Sequence, residues 1–410
     1  MPLAPALAVP VALLALAQGA ALVGVVRRLL PGRRRTPPVA PLPGGVHDTS
    51  VSVVVATLNE AHRIAPCLAG LRAQTAPLCE TLVVDSRSTD GTRALVEAAG
   101  REDPRIRLLT DDPLPPGWVG KVWALETGLR HARGEWVLGI DADTEPEPGM
   151  VAAVVAAART HDLDVVSFAP CFAGQTAGER LLQPAMLTTL VYRVGAAGDV
   201  RGTPERVMAN GQCFLARREV LVRHGGYAPA RASWCDDVTL ARHLARRGAR
   251  VGFLDGSRLY RVRSYASAGE AWREWGRSFD LSDASAPARQ ALDVALVVLA
   301  QGVPLALLLV LGVLAAAGVP LLDRAPAGSD LARRLGALAP AALLAVNLAL
   351  LGVRLGLLAA TRGSYARRGL PYWASPLADP AAALRLCLST VRRPRAWRGR
   401  RYAVAGAGSR

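Results

Sequence analysis

Trp136-Val137-Leu138-Gly139-Ile140-Asp141-Ala142-Asp143 is the stretch on which the reading of the whole chain turns. A short apolar run of the kind that forms a buried strand ends in two carboxylates separated by one residue. Open α/β sheets bind ligands outside the carboxyl ends of their strands. In an extended segment residues i and i+2 point to the same side, so Asp141 and Asp143 can face one ion and the phosphates it carries. Hard carboxylate oxygens suit Mg2+ or Mn2+ rather than zinc. Asp-x-Asp alone is a weak signal; its weight comes from the ordered series of polar motifs around it.

Strands and helices alternate on both sides of this run. Val51 to Ala56 reads as a buried strand, residues 60 to 74 as a helix carrying Ile64, Leu68 and Leu71, and Thr81 to Val84 as a second strand. A helix over Thr92 to Ala99 closes at Gly100, and a strand over Ile106 to Leu109 precedes a helix over Val122 to His131. Val151 to Arg159 is helical, Val165 to Phe168 is a strand, and 250 to 263 reads as strands joined at Asp255-Gly256. Such alternation predicts a mostly parallel sheet with helices on both faces.

The 410 residues exceed one ordinary domain, and the apolar ones (51%) are unevenly spread. They pile up in Val9 to Leu30, Ala291 to Leu322 and Leu335 to Ala360, each long enough to cross the roughly 20 helical residues of a bilayer core. The net charge is +16, almost all of it from Arg, and the Arg residues cluster beside the apolar runs. Arg27, Arg28, Arg33, Arg34 and Arg35 follow the first; Arg362, Arg367 and Arg368 follow the third; Arg392, Arg393, Arg395, Arg398, Arg400 and Arg401 close the chain. This follows the positive-inside rule and suits anionic headgroups, not nucleic acid. It predicts a multi-pass protein of the cell (inner) membrane with its globular domain and tail in the cytoplasm. A cleaved signal peptide is disfavoured, because the basic block follows the apolar run instead of preceding it. Six cysteines without metal-ligand spacing read as free thiols.

The expected divisions are a spanning helix over 1–30, a basic Pro/Gly linker over 31–49, an α/β domain over 50–263, an amphipathic interfacial helix over 264–290, a spanning hairpin over 291–362 and an Arg-rich tail over 363–410, with 369–391 interfacial or re-entrant. Residues 179 to 198 read either as a helix on the membrane or as a core helix. Trp272, Trp275 and Phe279 share a helical face, beside Arg273 and Arg277, and read as interfacial or as core packing.

Further motifs carry chemistry. Ala56-Thr57-Leu58-Asn59-Glu60 and Val84-Asp85-Ser86-Arg87-Ser88-Thr89-Asp90-Gly91-Thr92 end two strands and can cup a nucleotide, with Asp85 accepting from base or ribose donors. Asp90 and Glu60 also suit helix starts, where carboxylates accept from unpaired N–H groups. Leu114-Pro115-Pro116-Gly117-Trp118-Val119-Gly120-Lys121 sets a rigid turn before a helix whose amino terminus attracts phosphate, and Lys121 is the only lysine in the chain. Trp234-Cys235-Asp236-Asp237-Val238-Thr239-Leu240 opens a helix. Its carboxylates suit the helix dipole, or can take a proton from an attacking hydroxyl.

Taken in order, Thr57-Leu58-Asn59-Glu60, Asp85-Ser86-x-Ser88-Thr89-Asp90-Gly91-Thr92, Gly120-Lys121, Asp141-x-Asp143 and Asp236-Asp237-x-x-Leu240 resemble family 2 glycosyltransferases of the GT-A fold, over roughly residues 50 to 280. The resemblance implies an inverting transfer of sugar from a nucleotide-diphosphate sugar, UDP-linked by expectation. It implies metal on Asp141 and Asp143, donor contacts from Thr57, Asn59, Glu60, Asp85, Lys121 and Ala142, and Asp237 as base, with Asp236 beside it where the family usually has Glu. The Pro-Pro-Gly-Trp-Val-Gly-Lys loop, the spanning helices and the Trp397-Arg398-Gly399-Arg400-Arg401-Tyr402 tail look like membrane glycosyltransferases of carotenoid and hopanoid pathways, which act on a lipid alcohol or acid. The rivals are a processive polysaccharide synthase, whose Gln-x-x-Arg-Trp motif is absent, a polyprenyl-phosphate sugar transferase, and an inactive membrane scaffold.

Overall fold

The computed structural model describes residues 8–198, 200, 203–263, 265, 267–318, 330–391, 396–397 and 400–401. Its strands are β1 (Val51–Thr57), β2 (Leu78–Asp85), β3 (Ile106–Thr110), β4 (Trp136–Asp141), β5 (Thr144–Pro146), β6 (Val165–Ala169), β7 (Cys171–Phe172), β8 (Cys213–Arg217), β9 (Val251–Asp255) and β10 (Tyr260–Val262). Its helices are α1 (Ala8–Leu29), α2 (Ile64–Arg72), α3 (Thr92–Glu102), α4 (Gly120–His131), α5 (Met150–Thr160), α6 (Ala177–Val194), α7 (Arg218–Arg223), α8 (Asp236–Arg246), α9 (Ala268–Ser278), α10 (Pro287–Val297), α11 (Pro304–Ala316), α12 (Asp330–Ala360), α13 (Gly369–Trp373) and α14 (Asp379–Val391).

β1 lies between β2 and β4 because its Val-rich run is buried on both faces, as strands of a helix-covered parallel sheet must be. Val51, Val53 and Val55 join the core beside α2 and α5, while Val54 joins the opposite core beside α4 and α8. Burying one such side chain stabilises by roughly 1.5–3 kcal/mol. The main sheet has the order β3-β2-β1-β4-β8-β6-β9, parallel from β3 through β4, with β8 antiparallel to both neighbours. A small sheet, β5-β10-β7, stands beyond the end of β4. The strand order turns at β1, so the crevice for a ligand opens above β1 and β4.

Several boundaries differ from the sequence reading. The expected helix over 60 to 74 begins only at Ile64, because the N–H groups of Glu60 and Ala61 are taken by Thr92 Oγ1 and Asp90 Oδ2, both at 2.9 Å. α3 runs through Gly100 to Glu102; that glycine permits close approach of the Ile106 carbonyl instead of ending the helix. The 31–49 linker is laid onto the domain, with Thr36, Val39 and Leu42 donating backbone hydrogen bonds to Gly198, Asp255 and Gly149.

Three helical stretches, Val9–Gly32, Pro287–Ala316 and Leu338–Ala360, are long and apolar enough to cross a bilayer. The second is interrupted by a π-helical turn, Val298–Gly302, just before Pro304. α6 is a core helix: Ala185, Met186, Leu190, Val191 and Tyr192 are buried in a cluster with Val25 of α1, Leu296 and Val297 of α10, and Leu350 and Leu357 of α12. The aromatic stripe of α9 also faces inward, with Trp275 and Phe279 buried in that cluster. The amphipathic helix expected over 264–290 is therefore the shorter α9, its stripe sealed by protein. Residues 369–391 fold back as α13 and α14, and Ala382, Ala383 and Leu386 join the same cluster. Their opposite side exposes Leu370, Leu377, Leu384 and Val391, which suits contact with a bilayer surface. The expectations resting on Arg392, Arg393, Arg395, Arg398 and Tyr402 lie outside the described residues.

Candidate active site

Strand register brings the acidic motifs together. Ala56 of β1 pairs with Asp141 of β4, and Thr57 pairs with Asp85 of β2, so three strand ends stand side by side. Asp85 is fully buried; it accepts from Ser88 N at 3.1 Å and pairs with Arg93 at 3.3 Å. Thr57 Oγ1 donates to Val84 O at 3.2 Å, turning its hydroxyl toward β2. Asn59 has a positive φ of 56°, and its Oδ1 accepts from Thr89 N at 2.9 Å while its own N–H donates to Ser88 Oγ at 2.8 Å. Asn59 and Asp90 thus knit the two strand-end loops into one cradle. Asp90 accepts from Thr92 N at 3.1 Å, the role expected of a residue at a helix start.

A cavity of about 310 Å³ opens beside these strand ends. Its lining includes Glu60, Lys121, Asp141, Ala142, Asp143, Asp236 and Asp237, whereas Thr57, Asn59 and Asp85 stand behind that wall. Asp143 is held by its carbonyl, which accepts from Arg263 N at 3.3 Å, and Asp141 O accepts from Thr144 Oγ1 at 2.8 Å. The turn carrying both carboxylates is therefore fixed between the main sheet and the small one. Lys121, on the first turn of α4, places Nζ 2.6 Å from Asp141 Oδ1. Burial disfavours its ammonium, but Asp141, Asp236 and Asp237 outweigh that and raise its pKa above the ordinary value.

α8 enters from the other side of the sheet because Val238, Leu240, Ala241 and Leu244 are buried, which aims its first turn at the cavity. Asp237 Oδ2 accepts from Gly211 N at 2.7 Å and Oδ1 accepts from Val238 N at 2.8 Å. Burial, together with Asp237 and Asp141 and against the pull of Lys121, pushes the Asp236 carboxyl up to about 6. The adjoining Cys235 is kept a thiol by burial and by the Asp237 and Asp236 carboxylates. Gly211, to which sequence reasoning gave no role, lines the cavity beside these groups. A Cβ there would lie 3.1 Å from Lys121 Nζ and 3.5 Å from Asp237 Oδ2. The Arg63–Glu270 pair at 2.9 Å, joining the loop before α2 to α9, was likewise invisible in the sequence, since its partners are far apart in the chain.

Two hard carboxylates at the end of a strand, beside a cation already drawn to one of them, form a donor set that fits Mg2+ or Mn2+. Among the described residues no group of three or more His, Cys, Asp or Glu surrounds one point. An incomplete cage of this kind is the pattern for an ion that takes substrate phosphates as its remaining ligands.

The mixed sheet, with acidic strand ends, a cationic helix start and a second carboxylate pair facing one cleft, has the GT-A fold. Residues 52–225 match the family described as Glycosyl transferase family 2. The succinoglycan biosynthesis protein ExoA of Rhizobium meliloti is 30% identical over 214 residues, 51% of this chain and 62% of that protein. The Escherichia coli UDP-Glc:alpha-D-GlcNAc-diphosphoundecaprenol beta-1,3-glucosyltransferase WfgD is 32% identical over 96 residues, 23% of this chain and 36% of that protein. The chain thus matches less than two thirds of either relative's length. The mannosyltransferase PcManGT of Pyrobaculum calidifontis, solved with GDP-Man and Mn2+, is similar over 93% of this chain and 99% of its own, at 26% identity and a TM-score of 0.54.

Proposed function

We propose that this protein is an inverting, metal-dependent glycosyltransferase that moves a sugar from a nucleotide-diphosphate donor to a hydroxyl or carboxyl group of a membrane lipid. The observation that carries this reading is one cavity whose lining joins Asp141, Asp143, Lys121, Asp236 and Asp237 to the apolar Leu187, Leu190, Val191 and Trp275. The apolar lining belongs to α6 and α9, whose other residues pack on the spanning helices. A polar headgroup can reach the carboxylates while its tail remains in apolar surroundings. The carotenoid or hopanoid class of acceptor rests on the motif resemblance, and a UDP-linked donor on the general habit of the family.

Asp141 and Asp143 would hold the metal, which when bound neutralises the charge of the departing diphosphate. Asp85 and the Asn59–Thr89 cradle orient the nucleotide. Lys121 adds a positive charge on the phosphate side. Asp237 takes the acceptor proton: Gly211, Val238 and Cys235 donate to its carboxylate, and Oδ2, which among the described residues accepts from Gly211 alone, keeps a lone pair for the incoming O–H. Asp236 stands beside it on the first turn of α8. The catalytic domain and the Arg-rich tail face the cytoplasm by the positive-inside argument.

The test is sugar transfer by membranes holding the wild type or Asp237→Asn, with donor binding measured in parallel. Transfer should fall by about 10²–10⁴-fold while donor affinity is kept. Full transfer by the variant would refute the base assignment. The absence of donor turnover by the wild type, with or without chelator, would leave the scaffold reading standing.

A further inference from the structure

We infer that a second cavity, at the end of the first spanning stretch, binds the phosphate group of an anionic membrane lipid. This site is independent of the transferase reading. The cavity has a volume of about 190 Å³. Four segments enclose it: the end of α1 with Pro31 and Gly32, the end of α6 with the turn after it, residues 203–208, and β9, the edge strand of the main sheet. Among the described residues its lining holds three arginines, Arg28, Arg193 and Arg206, and no Asp or Glu. None of the reaction-site carboxylates lines it, although Val194, Gly195 and Ala196 form a wall common to both cavities.

The three arginines are held differently. Arg28 pairs with Asp293 at 2.8 Å, and its Nη1 donates to the carbonyls of Tyr192 and Arg193 at 2.9 and 3.2 Å, fastening α1 to the end of α6. Arg193 is only 4% exposed; its Nη1 donates to Phe279 O at 2.9 Å, but its buried Nε has no hydrogen-bond partner. Asp293 and Asp280 are its acidic neighbours, yet Asp293 is shared with Arg28, and Asp280 accepts from Ser282 N at 3.0 Å. Burial accordingly holds the Arg193 guanidinium below its ordinary pKa in spite of both carboxylates. Arg206 is exposed and among the described residues forms no ion pair. Three cations against two carboxylates leave this corner positive, and a buried N–H without a partner costs stability until an oxygen reaches it. Guanidinium forks match phosphate oxygens, and Thr203 adds a hydroxyl to the same lining. The position selects a lipid as the source of the phosphate. Val9–Gly32 is long and apolar enough to cross a bilayer, and Arg28, Pro31 and Gly32 at its end line the cavity, which sets it at headgroup depth. Val207, Val251 and Phe253 supply an apolar wall for the glycerol and first acyl carbons. Basic pockets beside spanning helices recognise anionic headgroups in this way. A free phosphate would satisfy the arginines and leave the apolar wall unused.

The full-length protein is delipidated in a neutral detergent, and its thermal unfolding is followed as phosphatidylglycerol, phosphatidylcholine or inorganic phosphate is added; native mass spectrometry records the lipid retained. Phosphatidylglycerol should raise the unfolding temperature and stay bound, and phosphatidylcholine, whose choline cancels the phosphate charge, should do neither. Arg206→Glu should weaken phosphatidylglycerol binding about tenfold or more. Arg206→Gln, which removes the charge without reversing it, should weaken it in the same direction and serves where the Glu variant fails to fold. Arg223→Glu makes an equal charge change at an exposed position on α7 and should leave binding as it is. Equal retention of the two lipids, or unchanged affinity in both Arg206 variants, overturns the site. An equal loss in Arg223→Glu shows attraction to the whole basic surface and overturns it as well. Inorganic phosphate that stabilises the wild type as strongly as phosphatidylglycerol at the same concentration overturns the lipid assignment. No readout here involves sugar transfer, so failure of this site and failure of the transferase reading are told apart.

Discussion

Asp236→Asn should make the protein more stable and less active, and the stability gain should depend on pH in a defined direction. The folded-state pKa of Asp236 is raised from 3.8 to about 6, chiefly by burial. A carboxyl whose folded pKa exceeds its unfolded value penalises folding once it ionises. The penalty is absent below about pH 4, where both states are protonated, grows between about 4 and 6, and is complete above 6. At about 1.4 kcal/mol per unit the shift corresponds to roughly 3 kcal/mol, an upper bound because the side chain keeps some contact with cleft water. Asparagine carries no charge and removes the penalty, so a gain of about 1–2 kcal/mol is expected at pH 7.5 and about a third of that at pH 4.5. The assay is thermal unfolding of detergent-solubilised wild type and variant at both pH values, with chelator present so that no cation masks the carboxylates. A difference that is the same at both pH values, or that favours the wild type at pH 7.5, would refute the electrostatic account of this corner.

Lys121→Met should weaken donor binding about tenfold or more, while strengthening binding of Mn2+ alone because the competing ammonium 2.6 Å from Asp141 is gone; paramagnetic resonance of Mn2+ reads the second effect without catalysis. Asp143→Ala should reduce metal-dependent donor binding, and unchanged binding in a titration with and without chelator would count against the metal assignment. Gly211→Ala should cut transfer by about tenfold with little change in unfolding temperature, since its Cβ would sit 3.1 Å from Lys121 Nζ and crowd Asp237, whose carboxylate the same residue's N–H holds. Arg354→Met should destabilise by about 3–5 kcal/mol, because it leaves Asp379 buried without the 2.8 Å ion pair that holds α14 to α12; a melting curve like that of the wild type would refute this.

The reactive corner was legible in the sequence because strand ends are local. β4 delivers Asp141 and Asp143 through a run of buried apolar residues followed by polar ones, and β1 and β2 do the same for Thr57 and Asp85. The division of labour among the polar residues was not legible. Asn59 reads as a donor contact in one dimension; that its side chain also clasps two loops is not legible there, because the clasp depends on a positive φ and on Thr89 lying across a parallel pair. Gly211 carries no local signal at all. Its importance arises only where the turn before β8 meets the first turn of α8.

The acceptor side shows the limit of periodicity more sharply. An amphipathic stripe says that one face of a helix is apolar, not what covers that face. On α9 the stripe of Trp275 and Phe279 suits a lipid interface as well as a protein core, and the structure buries both residues against α6. What covers them is supplied by α14, more than 100 residues later in the chain. Arg385 of α14 donates from Nε to Trp272 O at 2.7 Å and lies over the Trp272 ring, so the helix expected at the membrane surface is clamped by the segment expected to be a tail. The consequence reaches the chemistry. α9 carries Glu270 and Glu274 on the cavity wall, so whatever positions α14 also positions that wall. Arg385→Ala should therefore raise the acceptor KM about threefold to tenfold while leaving donor binding and chelator sensitivity as they are. A variant that lost donor binding instead would show that α14 supports the sheet and not the acceptor wall.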